Sequence, residues 1–163
     1  MRLSFPVLAA ALALGACGAE KGEVVRHKIP NSTFPILQAV EVPADATLVY
    51  LSGTGPSVVN EEAEPRTLAA YGDITTQTDT TLASIQAKLE GLGLSMSDVI
   101  KMQVYIVAAE GETAMDFGGF MEGYVKYFGT EAQPNLPTRS VFEVAGLANP
   151  GWLIEIEVVA VRD

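Results

Sequence analysis

The C-terminal third of the chain carries charged residues whose placement suggests chemistry. Arg139 lies between Pro137 and the strand-like run 141–144, where an unpaired charge is costly unless it meets an anion or faces a cleft. Glu155 and Glu157 alternate with apolar residues, which places both carboxylates on one face of a strand. A guanidinium can hold a ligand carboxylate by paired hydrogen bonds, and a carboxylate can orient and deprotonate water. One interpretation of the pattern is therefore a small-acid site in which Arg139 is the anchor and Glu155 positions the water.

A second interpretation of the same residues needs no ligand. Arg139 could pair with a glutamate in a structural salt bridge while the last strand faces solvent. Composition alone leaves both interpretations open.

Other polar features favour structural or solvated roles. His27 is the single histidine, and no second His or Cys is near it in sequence to share a metal ion. The turn over 52–56 lacks the Gly-Lys-Ser/Thr ending of a phosphate loop. The acidic residues at 61–64 lack the regular spacing of a calcium loop. We therefore predict no metal and no cofactor.

The first residues resemble an export signal. Arg2 precedes an apolar run over 3–14, which is too short to span a bilayer as a mature helix. The stretch ending in Gly-Ala-Cys17 resembles a bacterial lipobox, in which the cysteine sulfur takes a diacylglycerol. We expect a signal peptide over 1–16, then lipidated Cys17 and a tether over 17–33. A plain signal peptide and a retained cytoplasmic N-terminus are the alternatives.

The residue after Cys17 bears on location. By resemblance to lipoprotein sorting, Gly18 favours the outer over the inner membrane. The expected location is the cell envelope, either at the periplasmic side of the outer membrane or in the periplasm. Contact with the membrane would then run only through the lipid anchor.

Composition limits the fold and the partners. The chain has 163 residues, of which 48% are hydrophobic, and this fits one globular domain, which we place at 34–163. Lys and Arg number 10 against 20 for Asp and Glu, so the formal charge is −10. An acidic chain is poorly suited to binding nucleic acid. A single cysteine excludes an intramolecular disulfide.

Hydrophobic patterning predicts an α+β domain. Two short apolar runs flank the Pro43–Asp45 turn and predict a β-hairpin, and a long exposed loop follows over 53–72. The predicted elements are strands over 35–41 and 46–51, a helix over 73–92, a strand over 99–108, a helix over 113–128, and strands over 139–144 and 152–161. The order β-β-α-β-α-β-β predicts two helices packed on one face of a sheet.

Six stretches of the chain match the motifs of a known family, in the family's order. They are Gln38–Val40, Val49–Gly53, Gly72–Ile74, Gly93–Lys101, Pro137–Ser140 and Ile154–Glu157. With these residues the chain resembles the RidA (YjgF-type) family of reactive-imine deaminases, from about residue 34 to the end. The resemblance implies a chorismate-mutase-like fold and a homotrimer with ligand clefts between subunits, without a metal or an organic cofactor.

The resemblance also assigns roles to single residues. The arginine of the family's Pro-x-Arg-Ser stretch, which binds the substrate carboxylate, is Arg139 here. The glutamate that opens the Glu-Ile-Glu strand and positions the hydrolytic water is Glu155. The serine and glycine that line the same pocket are Ser52 and Gly53, and Ile156 also agrees with the family.

Three pocket positions depart from the family. Ile36 stands where the family has a tyrosine, Met121 where it has an asparagine, and Val141 where it has a cysteine. These changes remove a hydroxyl, an amide and a thiol but keep the carboxylate anchor. The resemblance therefore implies a more apolar pocket, which could take a different or larger acid.

Two functional hypotheses follow from the resemblance. The first is hydrolytic deamination of small 2-imino or enamine acids, in which water adds across C=N and releases ammonia and a 2-oxo acid. The alternative is a non-catalytic exported trimer that holds a small carboxylate in the same cleft. Both have a small carboxylic acid as the partner.

Overall fold

The computed structural model describes residues 22–162 of the 163-residue chain. The predicted signal peptide and Cys17 lie outside these residues. No helix within 22–162 is long and apolar enough to span a bilayer. The elements are β1 (Val25–Lys28), β2 (Leu37–Glu41), β3 (Thr47–Thr54), α1 (Leu68–Tyr71), α2 (Ile74–Gly91), a 3-10 turn (Met96–Asp98), β4 (Val99–Ile106), α3 (Phe117–Tyr124), β5 (Thr138–Glu143) and β6 (Ile154–Arg162).

Four strands form one mixed sheet in the order β3-β6-β4-β5. The last strand, β6, lies in the middle and pairs antiparallel with both β3 and β4. The edge strand β5 pairs parallel with β4, as the crossover through α3 requires. The α+β class predicted from the sequence is confirmed.

The two faces of this sheet have different surroundings. On β4, Met102, Val104 and Ile106 are fully buried in the core, whereas the alternate residues Gln103 and Tyr105 are not. The helices cover the first face, which we call the helix face. The opposite side, which we call the open face, has no helix of the described residues packed on it. Each strand residue therefore belongs to one of two environments.

The helix α2 confirms the helix predicted over 73–92. Asp73 caps its N-terminus, because a side-chain oxygen accepts a hydrogen bond of 2.8 Å from the Thr76 amide. The apolar stripe Leu82, Ile85 and Leu89 is fully buried against the sheet. Local periodicity alone accounts for this element.

The helix α3 packs closely on α2 through two glycines. A Cβ at Gly119 would overlap Ile74, and one at Gly123 would overlap Thr78. The carbonyl of Gly119 also accepts a hydrogen bond of 3.1 Å from the Thr75 hydroxyl. The predicted helix over 113–128 is shorter, because its first turn begins only after the Asp116 cap and its last residues form turns.

The predicted hairpin is wrong. Strand β2 pairs with β1 in a separate two-stranded sheet, and β3 pairs with β6. The turn at 43–45 is present. However, Val49 and Leu51 of β3 pack against the core, and the backbone of β3 forms its hydrogen bonds with the central strand β6. Local turn signals do not report this non-local pairing.

The predicted tether over 17–33 contains strand β1, so its second part belongs to the folded domain. The Arg26 guanidinium ties this strand down by donating hydrogen bonds of 2.8–3.1 Å to the carbonyls of Ser97, Val99 and Leu136. The long loop predicted over 53–72 ends in the short helix α1.

One buried amide joins α2 to the segment that leads into β6. The Gln77 side chain is fully buried and donates to the carbonyls of Gly72 and Gly151, at 2.9 and 3.0 Å. Its oxygen accepts a 2.7 Å hydrogen bond from the Leu153 amide. Three backbone groups are thus satisfied by one side chain.

Replacing this amide should destabilise the protein strongly. We expect Gln77→Leu to lower the free energy of unfolding by about 2–4 kcal/mol, because it leaves buried carbonyl and amide groups without partners. The matched control is Gln86→Leu in the same helix, which loses one exposed hydrogen bond to Glu90 and should cost less than about 0.5 kcal/mol. Denaturant unfolding of both variants measures the difference, and equal costs would contradict the bridging role.

Candidate functional site

Arg139 lies on the edge strand β5, on the helix face. Its register partner is Met102 of β4, whose side chain is buried in the core. Four aromatic rings surround the guanidinium. The distances from its Cζ atom to the ring centroids are 4.2 Å for Tyr124, 5.0 Å for Phe120, 5.5 Å for Phe34 and 6.0 Å for Phe117. We call Arg139 and these four rings the arginine half-site.

Two elements bring these rings to the arginine. The helix α3 supplies Phe117, Phe120 and Tyr124, at the three- and four-residue spacing of one helix side. The segment before β2 supplies Phe34. It is held by a 2.8 Å hydrogen bond from the Tyr124 hydroxyl to the Pro35 carbonyl, and by a 3.0 Å bond from the Leu37 amide to the Pro137 carbonyl.

The guanidinium is held partly away from water. Burial lowers the pKa of Arg139 from its ordinary value, and Tyr124 opposes that shift. Burial also raises the pKa of Tyr124 to about 12, although the Arg139 charge acts in the opposite direction. The Arg139 Nη1 atom is buried and has no hydrogen-bond partner among residues 22–162. A protonated, desolvated donor of this kind is suited to holding an anion.

Glu155 lies on β6, on the open face, opposite Tyr105 of β4. Its carboxylate lies directly against the backbone of Gly53, where a Cβ would overlap it. Ser52, the preceding residue, is exposed. We call Ser52, Gly53 and Glu155 the glutamate half-site. The register of β3 and β6 shifts between Leu51 and Thr54, and this bulge carries Gly53 toward the carboxylate.

The open face near Glu155 is acidic. Tyr105 donates a 3.3 Å hydrogen bond to Glu157. Desolvation, then the charge and hydrogen bond of Glu157 and the charge of Glu155, raise the pKa of Tyr105. The Tyr105 hydroxyl therefore stays protonated at neutral pH and remains a donor.

The two half-sites lie on opposite faces of the sheet. Arg139 shares the helix face with Val104 and Val141, whereas Glu155 alternates with the buried Ile154 and Ile156 and points to the other side. Within 22–162 no salt bridge involves Arg139. The salt bridge between Arg139 and a glutamate, which the sequence left open, is thus absent from the described chain. One chain does not bring the two predicted catalytic residues together.

The predicted substrate-binding residues divide between these environments. Val141 lies two residues after Arg139 on the same face of β5, and Met121 follows Phe120 in α3. Ile36 belongs to the segment that carries Phe34; all three side chains are half-buried. Ile156 differs, because alternation along β6 places its side chain fully in the core. It supports the sheet and offers a ligand no side-chain surface.

Sequence reasoning missed the aromatic surroundings of Arg139. The spacing of Phe117, Phe120 and Tyr124 predicts a helical core stripe, and two of these residues are indeed fully buried. The contact between this stripe and the Arg139 guanidinium depends on the register of β5. A Pro-x-Arg stretch following an aromatic helix is the signal that could have suggested the contact.

A cavity of about 480 Å³ lies elsewhere, at the N-termini of α2 and α3. Its carboxylates include Asp73 and Asp116, which both cap helices, and Glu112. No group of three metal-ligating side chains occurs within residues 22–162. The acidic lining is therefore accounted for by helix capping at two of its positions.

Comparisons with known proteins agree with this architecture. The family model described as Endoribonuclease L-PSP matches residues 30–162. A RutC family protein from Haemophilus influenzae is 33% identical over 136 residues, covering 83% of this chain and 93% of the relative. A 2-iminobutanoate/2-iminopropanoate deaminase from Salmonella typhimurium is 30% identical over 139 residues, covering 85% of this chain and 96% of the relative.

A solved structure agrees as well. Escherichia coli TdcF with bound serine has a TM-score of 0.56 at 29% identity, covering 88% of this chain and 100% of that one. The chain therefore belongs to the Endoribonuclease L-PSP family, which includes the RidA/YjgF-type proteins. Its fold is the chorismate-mutase-like α+β fold of that family.

The contact between Gly53 and Glu155 can be tested by a double-mutant cycle. We expect Gly53→Ala to lower the free energy of unfolding by about 1 kcal/mol or more in the wild-type background, because the new methyl group displaces the carboxylate. In a Glu155→Ala background the cost should largely disappear, which gives a coupling energy of about 0.5–3 kcal/mol.

Gly146→Ala is the matched control, since a Cβ there meets nothing within 4 Å. Its expected cost is below about 0.5 kcal/mol in both backgrounds. The same cost for Gly53→Ala with and without Glu155 would contradict the close contact.

Proposed function

We propose that this protein hydrolyses 2-imino acids to 2-oxo acids and ammonia. In the reaction, R–C(=NH)–COO⁻ and H₂O give R–CO–COO⁻ and NH₃, so that water oxygen replaces the imine nitrogen. The observation that carries the proposal is the desolvated Arg139 guanidinium with an unpartnered Nη1. The similarity to the 2-iminobutanoate/2-iminopropanoate deaminase of Salmonella typhimurium supports the same reaction class.

Arg139 and Glu155 take different parts in this reaction. The guanidinium holds the substrate carboxylate by charge-assisted hydrogen bonds, which fixes the neighbouring C=N carbon in place. The Glu155 carboxylate accepts a proton from the attacking water and returns it to the departing nitrogen. Gly53 supports this step because, without a Cβ, it leaves room for the Glu155 carboxylate beside the backbone.

The site is completed by a second copy of the chain in a homotrimer. This part of the proposal is supported by the placement of Arg139 and Glu155 on opposite faces of one sheet. It is also supported by large apolar side chains on the open face, where Leu48, Tyr50 and Phe142 are 40%, 72% and 47% exposed. Apolar patches of this kind are typical of subunit interfaces.

The name of the family model refers to RNA cleavage, but the charge of this chain is unfavourable for RNA. The formal net charge is −10. Binding to a phosphate backbone depends on neutralising its charge with Lys and Arg. We therefore assign the imine rather than RNA as substrate.

Ammonia release from freshly generated 2-imino acids tests the reaction. We expect Glu155→Gln to lower kcat by at least about 100-fold, since it removes the base. Arg139→Ala should raise KM and lower kcat/KM, because the carboxylate loses its anchor. The exposed substitutions Glu90→Gln and Arg66→Ala are matched controls and should leave the rates unchanged. Release that does not exceed the buffer rate in the folded wild-type protein would contradict the proposal.

The same two variants test whether the site lies between subunits. When Arg139→Ala and Glu155→Gln chains are co-expressed in equal amounts, random mixing should produce about a quarter of the clefts with both wild-type groups. The activity should then exceed that of either variant alone, since each variant by itself is strongly impaired. A mixed trimer without regained activity would contradict a shared site.

We also propose export, with Cys17 lipidated in the cell envelope. The support is the lipobox-like Gly15-Ala-Cys17 after an apolar run. Cys17→Ser should remove the lipid from the mass of the protein and release it from the membrane fraction. A wild-type protein that carries an unmodified Cys17 thiol in the soluble fraction would contradict the anchor.

A further inference from the structure

The four rings of the arginine half-site fall into two pairs. Phe120 and Tyr124 are fully buried, so they form the floor on which the guanidinium packs. Phe34 and Phe117 are 43% and 36% exposed, although both lie within 6.0 Å of the Arg139 Cζ atom. Phe34 and Phe117 therefore present apolar surface to solvent beside the Arg139 guanidinium.

Two fixed contacts place Phe34 beside the guanidinium. The carbonyl of the adjacent Pro35 accepts the Tyr124 hydroxyl hydrogen bond at 2.8 Å, and the Phe34 amide donates at 3.1 Å to the Ser32 hydroxyl. The backbone on both sides of Phe34 is thus held. A large exposed ring on a held backbone presents apolar surface at little further cost in conformational entropy.

A ligand on Arg139 would reach this surface. Charge-assisted hydrogen bonds of roughly 2.7–2.9 Å bring a bound carboxylate into contact with the guanidinium. The ligand's side chain begins two bonds beyond the carboxylate carbon, and the Phe34 and Phe117 ring centroids lie 5.5 and 6.0 Å from the Arg139 Cζ atom. The half-buried Ile36, Met121 and Val141 in the neighbouring segments are also apolar.

We infer that the preferred substrate is a 2-imino acid with a large apolar side chain, best an aromatic one, rather than a two- to four-carbon imino acid. An aromatic substrate ring can pack on Phe34 or Phe117 in an offset or edge-to-face arrangement. A methyl or ethyl side chain leaves both rings uncovered. This inference rests on the proposed deaminase function, since it names the substrate class of the same site.

The test compares imino acids of increasing side-chain size. An amino-acid oxidase with O₂ generates 2-iminopropanoate, 2-imino-4-methylpentanoate and 2-imino-3-phenylpropanoate in place, and ammonia release above the buffer rate is followed. We expect kcat/KM for the phenyl compound to exceed that for 2-iminopropanoate by about tenfold or more.

Substitution of Phe34 distinguishes two roles of this ring. It either contacts the substrate side chain or only shields the Arg139 guanidinium from water. Phe34→Ala should lower kcat/KM for the phenyl compound by about tenfold and for 2-iminopropanoate by less than about threefold. The exposed apolar truncation Leu92→Ala at the end of α2 is the matched control and should change neither rate. Equal losses for both substrates would indicate that Phe34 only shields Arg139 and would overturn the inference.

The outcomes distinguish this inference from the proposed function. Hydrolysis of 2-iminopropanoate as fast as the phenyl compound would overturn the inference and leave the deaminase standing. If no imino acid is hydrolysed, the proposed deaminase function is wrong. Calorimetric titration with 3-phenyl-2-oxopropanoate and 2-oxopropanoate then tests whether the site prefers an acid with a large apolar side chain. Tighter binding of the phenyl acid, lost in Phe34→Ala, would support the apolar acid site, and equal or absent binding would overturn it.

Discussion

The placement of one cation at the edge of the sheet constrains much of this structure. Arg139 is the second residue of β5, and its guanidinium is partly desolvated, with Nη1 unpartnered among residues 22–162. Such a charge is costly unless its surroundings compensate. Aromatic rings compensate in part through their electron-rich faces. The helix α3 and the segment before β2 supply those rings, so the close packing of α3 on α2 at Gly119 and Gly123 also fixes the surroundings of the cation.

The sheet divides the chemistry between its two sides. The helix face combines a cation with apolar rings, and the open face combines carboxylates with Tyr105 and exposed apolar side chains. Neither side alone carries both the Arg139 guanidinium and the Glu155 carboxylate. An assembly in which one sheet's open face meets another chain's edge would bring the two sets together. The proposed site would then exist only in the assembled protein.

The sequence predicted those features that depend on local periodicity. The helix over 73–92 is observed as Ile74–Gly91, because its apolar stripe repeats at helical spacing. The face of Glu155 on its own strand followed from alternation in the same way. The hairpin was wrong because pairing of β3 with β6 is non-local. Gln77 is polar, yet it is fully buried, because its hydrogen-bond partners include the carbonyl of Gly151, 74 residues away in the sequence. The aromatic surroundings of Arg139 required the register of β5, which no local pattern reports.

The position of β1 limits how far the domain could stand from a membrane. Because β1 begins at Val25, only residues 18–24 would separate a lipid on Cys17 from the folded part. At roughly 3.3–3.6 Å for each fully extended residue, such a linker reaches about 25 Å at most. A lipid on Cys17 would therefore keep β1 within that distance of the headgroups.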